Sequence, residues 1–184
     1  TGQPALYVAA EALVGSLFNP KAAAVAFEDY KPGDKLVPYK VLDGKLKGSD
    51  LTGIRYEQLI PWFNPGEGAF KVIPGDYVTT EDGTGIVHIA PTFGADDAKV
   101  ARLAGVPGLQ VVDRNGDLQA QVDLRGRFFR VEDLDPDYAA ANMSPEYAEW
   151  AGRYVKNAYD AELPADAPTL DVDICVMLKQ QNKA

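Results

Sequence analysis

One cysteine and one histidine are all that the 184 residues contain of the two strongest metal-ligating side chains. A lone Cys175 has no partner for an internal disulfide, and one Cys with one His cannot furnish a tetrahedral zinc set. Cys175 sits in the apolar run "DICVML", where a small buried hydrophobe is expected; a catalytic thiol would require a base close by, and His88 belongs to another segment. Apolar runs are short too. None approaches the roughly 18 residues that a membrane span needs, and the first residues lack the basic stretch, apolar core and cleavage site of a signal peptide. The expected location is the cytoplasm, with no membrane partner. Positive charge is scarce: 18 Lys and Arg against 27 Asp and Glu give a net charge of −9, which repels polyphosphate. Alone, such a chain binds nucleic acid poorly, although another part of a larger enzyme can deliver a nucleic-acid end to it. The chain opens "TGQPALYV" without Met and stops at "KQQNKA" with no terminating motif, so a piece of a longer chain is expected.

What is present is ordinary globular usage, 46% hydrophobic and 24% charged, enough for one domain with a core. Gly, Pro, Asn and Asp punctuate many short β-prone runs, and three or four short helices lie among them. No repeat of fixed period is visible. "ALYVA" reads as a strand feeding a helix over 11–18, and "AAAVAFEDY" as a strand followed by the turns "KPGDK" and "LDGKL". In "LKGSDLTGIRYEQLIPWF" the glycines and the closing proline argue against a long helix, and "GAFKVIPGDYVTTEDGTGIVHIA" supplies two β-rich runs. "DDAKVARLAG" carries acids in its first turn, Gly105 just past its end and Pro107 beyond, the marks of a short helix. Asn115-Gly116 between β-prone runs predicts a type I′ hairpin. "DRNGD" faintly resembles a calcium loop but lacks the full ligand spacing and the closing Glu, so no metal is expected there. Ser144 and Pro145 begin an expected helix through "PEYAEWAGRYVKNAYDAE"; the loop "LPADAPTLDVD" and a last amphipathic helix with Ile174, Val176, Met177 and Leu178 complete the chain.

The stretch over 83–97, "GTGIVHIAPTFGADD", holds the single histidine and ends on two carboxylates. As a strand it places Ile86 and His88 on one face and Val87 and Ile89 on the other. Pro91 ends regular pairing, Gly94 lets the backbone bend, and His88 and Asp97 can then border one cleft. The plain alternative is a rim histidine and a helix-start acid, both common. Against it stand Asp96, which already serves the helix dipole, and Gly83-Thr84-Gly85, which permits close backbone approach by a ligand. A carboxylate here suits a ligand ammonium, because charge-assisted hydrogen bonds are about twice as strong as neutral ones. An imidazole can limit pocket size while bonding a hydroxyl or water.

At these residues the sequence resembles the editing domain of isoleucyl-tRNA synthetases, class I aminoacyl-tRNA synthetases. "GTGIVHIAP", "FGADD" and "LKGSDLTGIRYEQLIPWF" carry the likeness, with weaker similarity in "VDRNGDL", "GRYVKNAYD" and the last helix. It covers essentially the whole chain and is strongest over 46–116; the His after "GTGIV" distinguishes it from the related valyl and leucyl domains. The resemblance implies an α+β, β-rich fold, with a β-barrel-like core of short strands decorated by three or four short helices. It implies a single editing domain over 1–184, truncated at both ends. It further implies proofreading by hydrolysis of mischarged Val-tRNA(Ile), with the tRNA 3′ end and the remainder of the parent synthetase as partners. Substrate binding falls to His88, Thr92, Phe93, Gly94 and Asp97, pocket structure to Gly83, Gly85 and Pro91. Asp97 would anchor the substrate's α-ammonium, and His88 would shape the pocket against isoleucine. No catalytic side chain is assigned: water is the nucleophile, and a carboxylate paired with an ammonium is a weak base. No cofactor or metal is implied for this domain, ATP and Mg being used elsewhere in the parent enzyme. The family's threonine-rich segment, which precedes the part matching "TGQPALYV", has no match here; Thr79, Thr80 and Thr84 do not supply it. Two rival readings are a noncatalytic binding module, favoured by the acidic surface, and a free-standing deacylase.

Overall fold

The computed structural model describes residues 4–156, 159–164, 166–167 and 169–183. The expected helix through 157–158, the expected loop at 165 and 168, and the ends of the quoted terminal stretches at 1–3 and 184 lie outside the described residues. Contacts divide the chain into two compact units, Thr1–Gly53 with Val72–His88, and Ile54–Lys71 with Ile89–Ala184.

Among the described residues of the first unit, regular structure is limited to short helical turns. Residues 4–10 form neither strand nor helix, correcting the expected strand. The helix expected over 11–18 forms as a 3-10 turn, Glu11–Leu13, running into α1, Val14–Leu17. "AAAVAFEDY" is not a strand: it forms two 3-10 turns, Pro20–Ala24 and Phe27–Asp29. Pro20 sits at the start of the first turn with its φ already helical, and the Asn19 side chain accepts the Lys21 amide at 3.0 Å, so local capping outweighs the β-prone alanine–valine pattern. The expected "KPGDK" turn is present, closed by the Asp34 amide on the Lys31 carbonyl at 3.0 Å. Among the described residues of this unit, Leu13, Ala22 and Pro38 are buried. Leu6, Tyr7, Val41 and Leu46 stand 66% to 77% exposed.

The second unit holds the core. Trp62, Phe63, Val111, Phe128, Leu134, Tyr147, Trp150 and Leu170 are packed together. Phe63 and Tyr147 meet edge to face with centroids 4.4 Å apart. Tyr147 is fully buried, and its hydroxyl donates to the Phe129 carbonyl at 2.6 Å, so the phenol's polar end is not left unpaired. Residues 62–64 run antiparallel to 142–144, through the Asn64 amide on the Asn142 carbonyl and the Ser144 amide on the Trp62 carbonyl. α3, Pro136–Asn142, adds a helix to those expected, and its signal is local: Asp135 caps the Tyr138 amide at 2.8 Å and Pro136 follows at the first helical position. The helix expected from Pro145 stops early as a 3-10 turn, Pro145–Glu149, because Gly152 turns the chain back at φ +78° to pair with Phe128. α4, Leu170–Gln180, forms as expected and buries Leu170 and Leu178. Cys175 lies off that apolar stripe and is exposed, correcting its expected burial.

The sheet is smaller than expected. β1, Val111–Val112, pairs antiparallel with β2, Leu118–Gln119, and the other pairing is by isolated bridges such as Val122↔Phe128 and Arg127↔Tyr154. The two β-rich runs expected over 68–90 form no ladder beyond the Arg55↔Lys71 bridge. The fold is therefore mixed, with few helices and one two-stranded sheet among the described residues. None of these helices is long and apolar enough to cross a membrane.

The predicted hairpin is present, but its turn differs. The Gly116 amide bonds the Asp113 carbonyl at 2.9 Å, and Gly116 alone of the turn residues has positive φ, +83°. A type I′ turn would require Asn115 there as well; this is a type I turn closed by a glycine bulge. The cause is Asp113. One of its oxygens accepts the Asn115 and Asp117 amides at 2.9 and 3.1 Å, and the other accepts the Gln119 side-chain amide at 2.9 Å, so "DRNGD" spends its first carboxylate on its own backbone. The same device recurs at Asp123, whose carboxylate accepts the Arg125 and Arg127 amides, with Gly126 at φ +78°.

Candidate functional site

The clustered candidates lie at the start of α2, Ala95–Leu103, which forms where it was expected. Its entry is a tight turn: the Phe93 and Gly94 amides both bond the Ala90 carbonyl, at 3.0 and 3.1 Å, and the Ala98 amide then bonds the Gly94 carbonyl at 2.8 Å. Pro91 fits this turn because it needs no amide of its own. Asp96 and Asp97 occupy the first helical turn and Arg102 the last, each favourable to the helix dipole. At the far end the Lys71 ammonium donates to the Ala104 carbonyl at 2.9 Å.

Asp96 is exposed and Asp97 half-buried. The Asp97 Oδ2 accepts the Ala90 amide at 2.9 Å, folding the carboxylate back across residue 94. Asp97 Oδ1 has no hydrogen-bond partner among the described residues. A Cβ built on Gly94 would lie 2.8 Å from Asp97 Oδ2 and 2.9 Å from its Cγ. Asp97 thus has a structural task that the sequence did not reveal, and its other oxygen has no hydrogen-bond partner among the described residues. The Ala90 amide could not be foreseen, since a backbone donor leaves no mark in a sequence.

The remaining candidates of this unit take separate positions. The Thr92 hydroxyl donates to the Leu109 carbonyl at 2.8 Å, fastening the turn to the segment after α2. Phe93 is 66% exposed. Pro91 and Thr92 line an open hollow of about 530 Å³ together with Arg102, Val106, Gln110 and Glu67, and neither Asp96 nor Asp97 borders it.

His88, Gly83 and Gly85 belong to the other unit. Residues 86–90 carry no strand, and Ile86 and Val87 are equally exposed at 49%, so the expected alternation of faces is absent. His88 is exposed. The close approach that Gly85 permits is to the chain itself: a Cβ there would lie 2.6 Å from that of Ala10, whose amide bonds the Thr84 carbonyl at 2.8 Å. Among the described residues, no three His, Cys, Asp or Glu side chains are grouped to hold a metal ion.

No family model matches the chain. It is 60% identical over 185 residues to the isoleucine–tRNA ligase of Bacteroides fragilis, covering 100% of this chain and 16% of that protein. Against the isoleucine–tRNA ligase of Porphyromonas gingivalis it is 56% identical over 184 residues, covering 99% of this chain and 16% of the relative. Against that of Cytophaga hutchinsonii the figures are 45% over 194 residues, 100% and 16%. The chain thus spans 16% of the length of these relatives. Along its whole length the chain is thus similar to one segment of isoleucine–tRNA ligases, which are aminoacyl-tRNA synthetases.

Proposed function

We propose that this segment is the proofreading domain of its synthetase, hydrolysing the ester that joins a mischarged valine to the 3′ end of isoleucine tRNA. The need is physical: one methylene is worth about 1–3 kcal/mol in an apolar pocket, too little to separate valine from isoleucine, so a second, smaller sieve is required. The observation that carries the reading is the Asp97 carboxylate, held through one oxygen by the Ala90 amide and with no hydrogen-bond partner on the other among the described residues. Such an oxygen suits the α-ammonium of an aminoacyl ester, because charge-assisted hydrogen bonds are about twice as strong as neutral ones. His88 would border the amino-acid side chain and exclude the longer isoleucine. Thr92, Phe93 and Gly94 would complete the substrate-binding turn, with Pro91 shaping its backbone, while Gly83 and Gly85 would shape the backbone of their own unit. Water is the nucleophile in this reading, with no catalytic side chain. No cofactor is required in the domain; ATP and Mg serve the parent enzyme elsewhere. A barrel of short strands, a single editing domain spanning both compact units, contact with the tRNA 3′ end and a cytoplasmic location belong to the same reading.

The test uses the full-length enzyme charged with valyl-tRNA(Ile). Asp97→Ala is expected to slow deacylation by about 10- to 150-fold, the loss of one charge-assisted contact, while isoleucine activation is unchanged. Unaltered deacylation would refute the anchoring role.

A further inference from the structure

We infer that Gly94 is a positioning residue for Asp97: its missing side chain is what allows the carboxylate to fold back onto the Ala90 amide and keep its second oxygen free for a ligand. The inference rests on the proofreading reading for what that oxygen binds, and on the geometry at the start of α2 for how it is held.

Three observations converge. The backbone at Gly94 is extended, φ −113° and ψ 128°, a conformation open to any residue, so glycine is not needed there for its torsions. As the residue preceding the helix it offers no side-chain cap, although Ser, Thr, Asp and Asn are favoured at that position. The space where a Cβ would stand is occupied by one side chain: the three nearest atoms are Asp97 Oδ2 at 2.8 Å, Cγ at 2.9 Å and Cβ at 3.1 Å. Contacts under 3.0 Å require something to move, and here it is the end of a side chain. A methyl group at residue 94 therefore displaces the carboxylate, with the Asp97 Cβ at 3.1 Å giving way by a few tenths of an ångström.

The Ala90 amide is the second half of the device. Its hydrogen bond to Oδ2 removes the freedom of the Asp97 side chain before any ligand arrives. A group already held in its bound orientation loses less entropy on binding. Ala90 also accepts the Phe93 and Gly94 amides through its carbonyl, so its peptide groups are fixed from both sides. Asp97 thus uses one oxygen to hold its place and the other to recognise a cation, and Gly94 makes both possible.

The experiment is a double-mutant cycle in the full-length enzyme, using valyl-tRNA(Ile), with Gly94→Ala, Asp97→Asn and the pair. Asparagine can still accept the Ala90 amide but carries no charge. Gly94→Ala is expected to raise KM for deacylation by about 10-fold or more, with kcat and isoleucine aminoacylation little changed. In the Asp97→Asn background the same substitution is expected to add nothing, because there is no longer an ammonium contact to misplace. Equal effects of Gly94→Ala in both backgrounds would reduce Gly94 to a structural role and overturn the inference. An impaired Asp97→Asn beside a fully active Gly94→Ala would overturn the positioning inference alone. A fully active Asp97→Asn would overturn the proofreading assignment of Asp97. If Gly94→Ala does not fold, Asp97→Glu reads the same geometry: it keeps the charge but moves the carboxylate off the amide. A normal KM in Asp97→Glu would also overturn the inference.

Discussion

The Asp97 carboxylate and the Ala90 amide, 2.9 Å apart, close the turn that leads into α2. This contact predicts different stabilities for two substitutions at one position. Asp97→Ala removes the acceptor and is expected to destabilise the protein by about 1 kcal/mol, a charged hydrogen bond discounted for partial exposure. Asp97→Asn keeps an acceptor and is expected to lose a few tenths of a kcal/mol, from the dipole alone. Chemical denaturation of the two variants side by side measures the difference.

His88→Ala bears on substrate choice rather than stability, because the imidazole is exposed. Under the proofreading reading, removing it enlarges the sieve, and deacylation of isoleucyl-tRNA(Ile) by the full-length enzyme is expected to rise by about 10- to 200-fold. Continued rejection of the isoleucyl ester would leave His88 without a role in selection.

Asp113 governs the first hairpin. Its carboxyl is held below the ordinary value of 3.8, chiefly by the Gln119 side-chain amide and then by the Asp117 amide. A carboxyl with a depressed folded value contributes stability above its unfolded value, and that contribution disappears as pH falls through the lower, folded one. Wild-type protein is therefore expected to lose hairpin stability below about pH 4, and Asp113→Ala to flatten that part of the stability profile. NMR titration following the Asn115 and Asp117 amides reads the effect directly.

Tyr147 predicts behaviour at the opposite extreme. Burial pushes its phenol well above the ordinary value of 10.0, while the unfolded phenol ionises near that value. The folded state is consequently disfavoured as pH rises past about 10. Tyr147→Phe is expected to cost about 1–3 kcal/mol at neutral pH by leaving the Phe129 carbonyl unpaired. It is also expected to make the alkaline loss shallower, with Tyr138, likewise raised by burial, supplying the remainder. Denaturation at pH 7 and at pH 10.5 tests both parts.

The sequence was most informative where local chemistry decides the outcome. Helix α2 was legible from its acids, Gly105 and Pro107, and the hairpin from Asn115-Gly116. The turn type was not, because the Asp113 side chain, rather than the Asn-Gly pair, sets the backbone. The Asp-x-x-Gly spacing at 113–116 and 123–126 marks both turns in the sequence. Strands were overestimated: a β-prone run becomes a strand only when a partner supplies the ladder, and partners are distant in sequence. At Pro20 and Pro136, proline and an Asn or Asp cap prevailed over the surrounding pattern. At the candidate site, residue types were legible and allegiance was not. Asp97, Thr92 and Gly94 are each engaged by neighbours, through the Ala90 amide, the Leu109 carbonyl and the Asp97 side chain, that only folding brings close.

The short roll of interior side chains in the first unit, Leu13, Ala22 and Pro38, has a consequence for how the molecule breathes. Opening a region exposes the apolar surface it had hidden, and here little is hidden, so excursions of residues 4–53 cost little free energy while those around Tyr147 approach the cost of global unfolding. Deuterium should therefore reach the amides near Leu13 and Val41 long before those of Val111 and Tyr147, and a protease should find its first cuts in the same half of the chain.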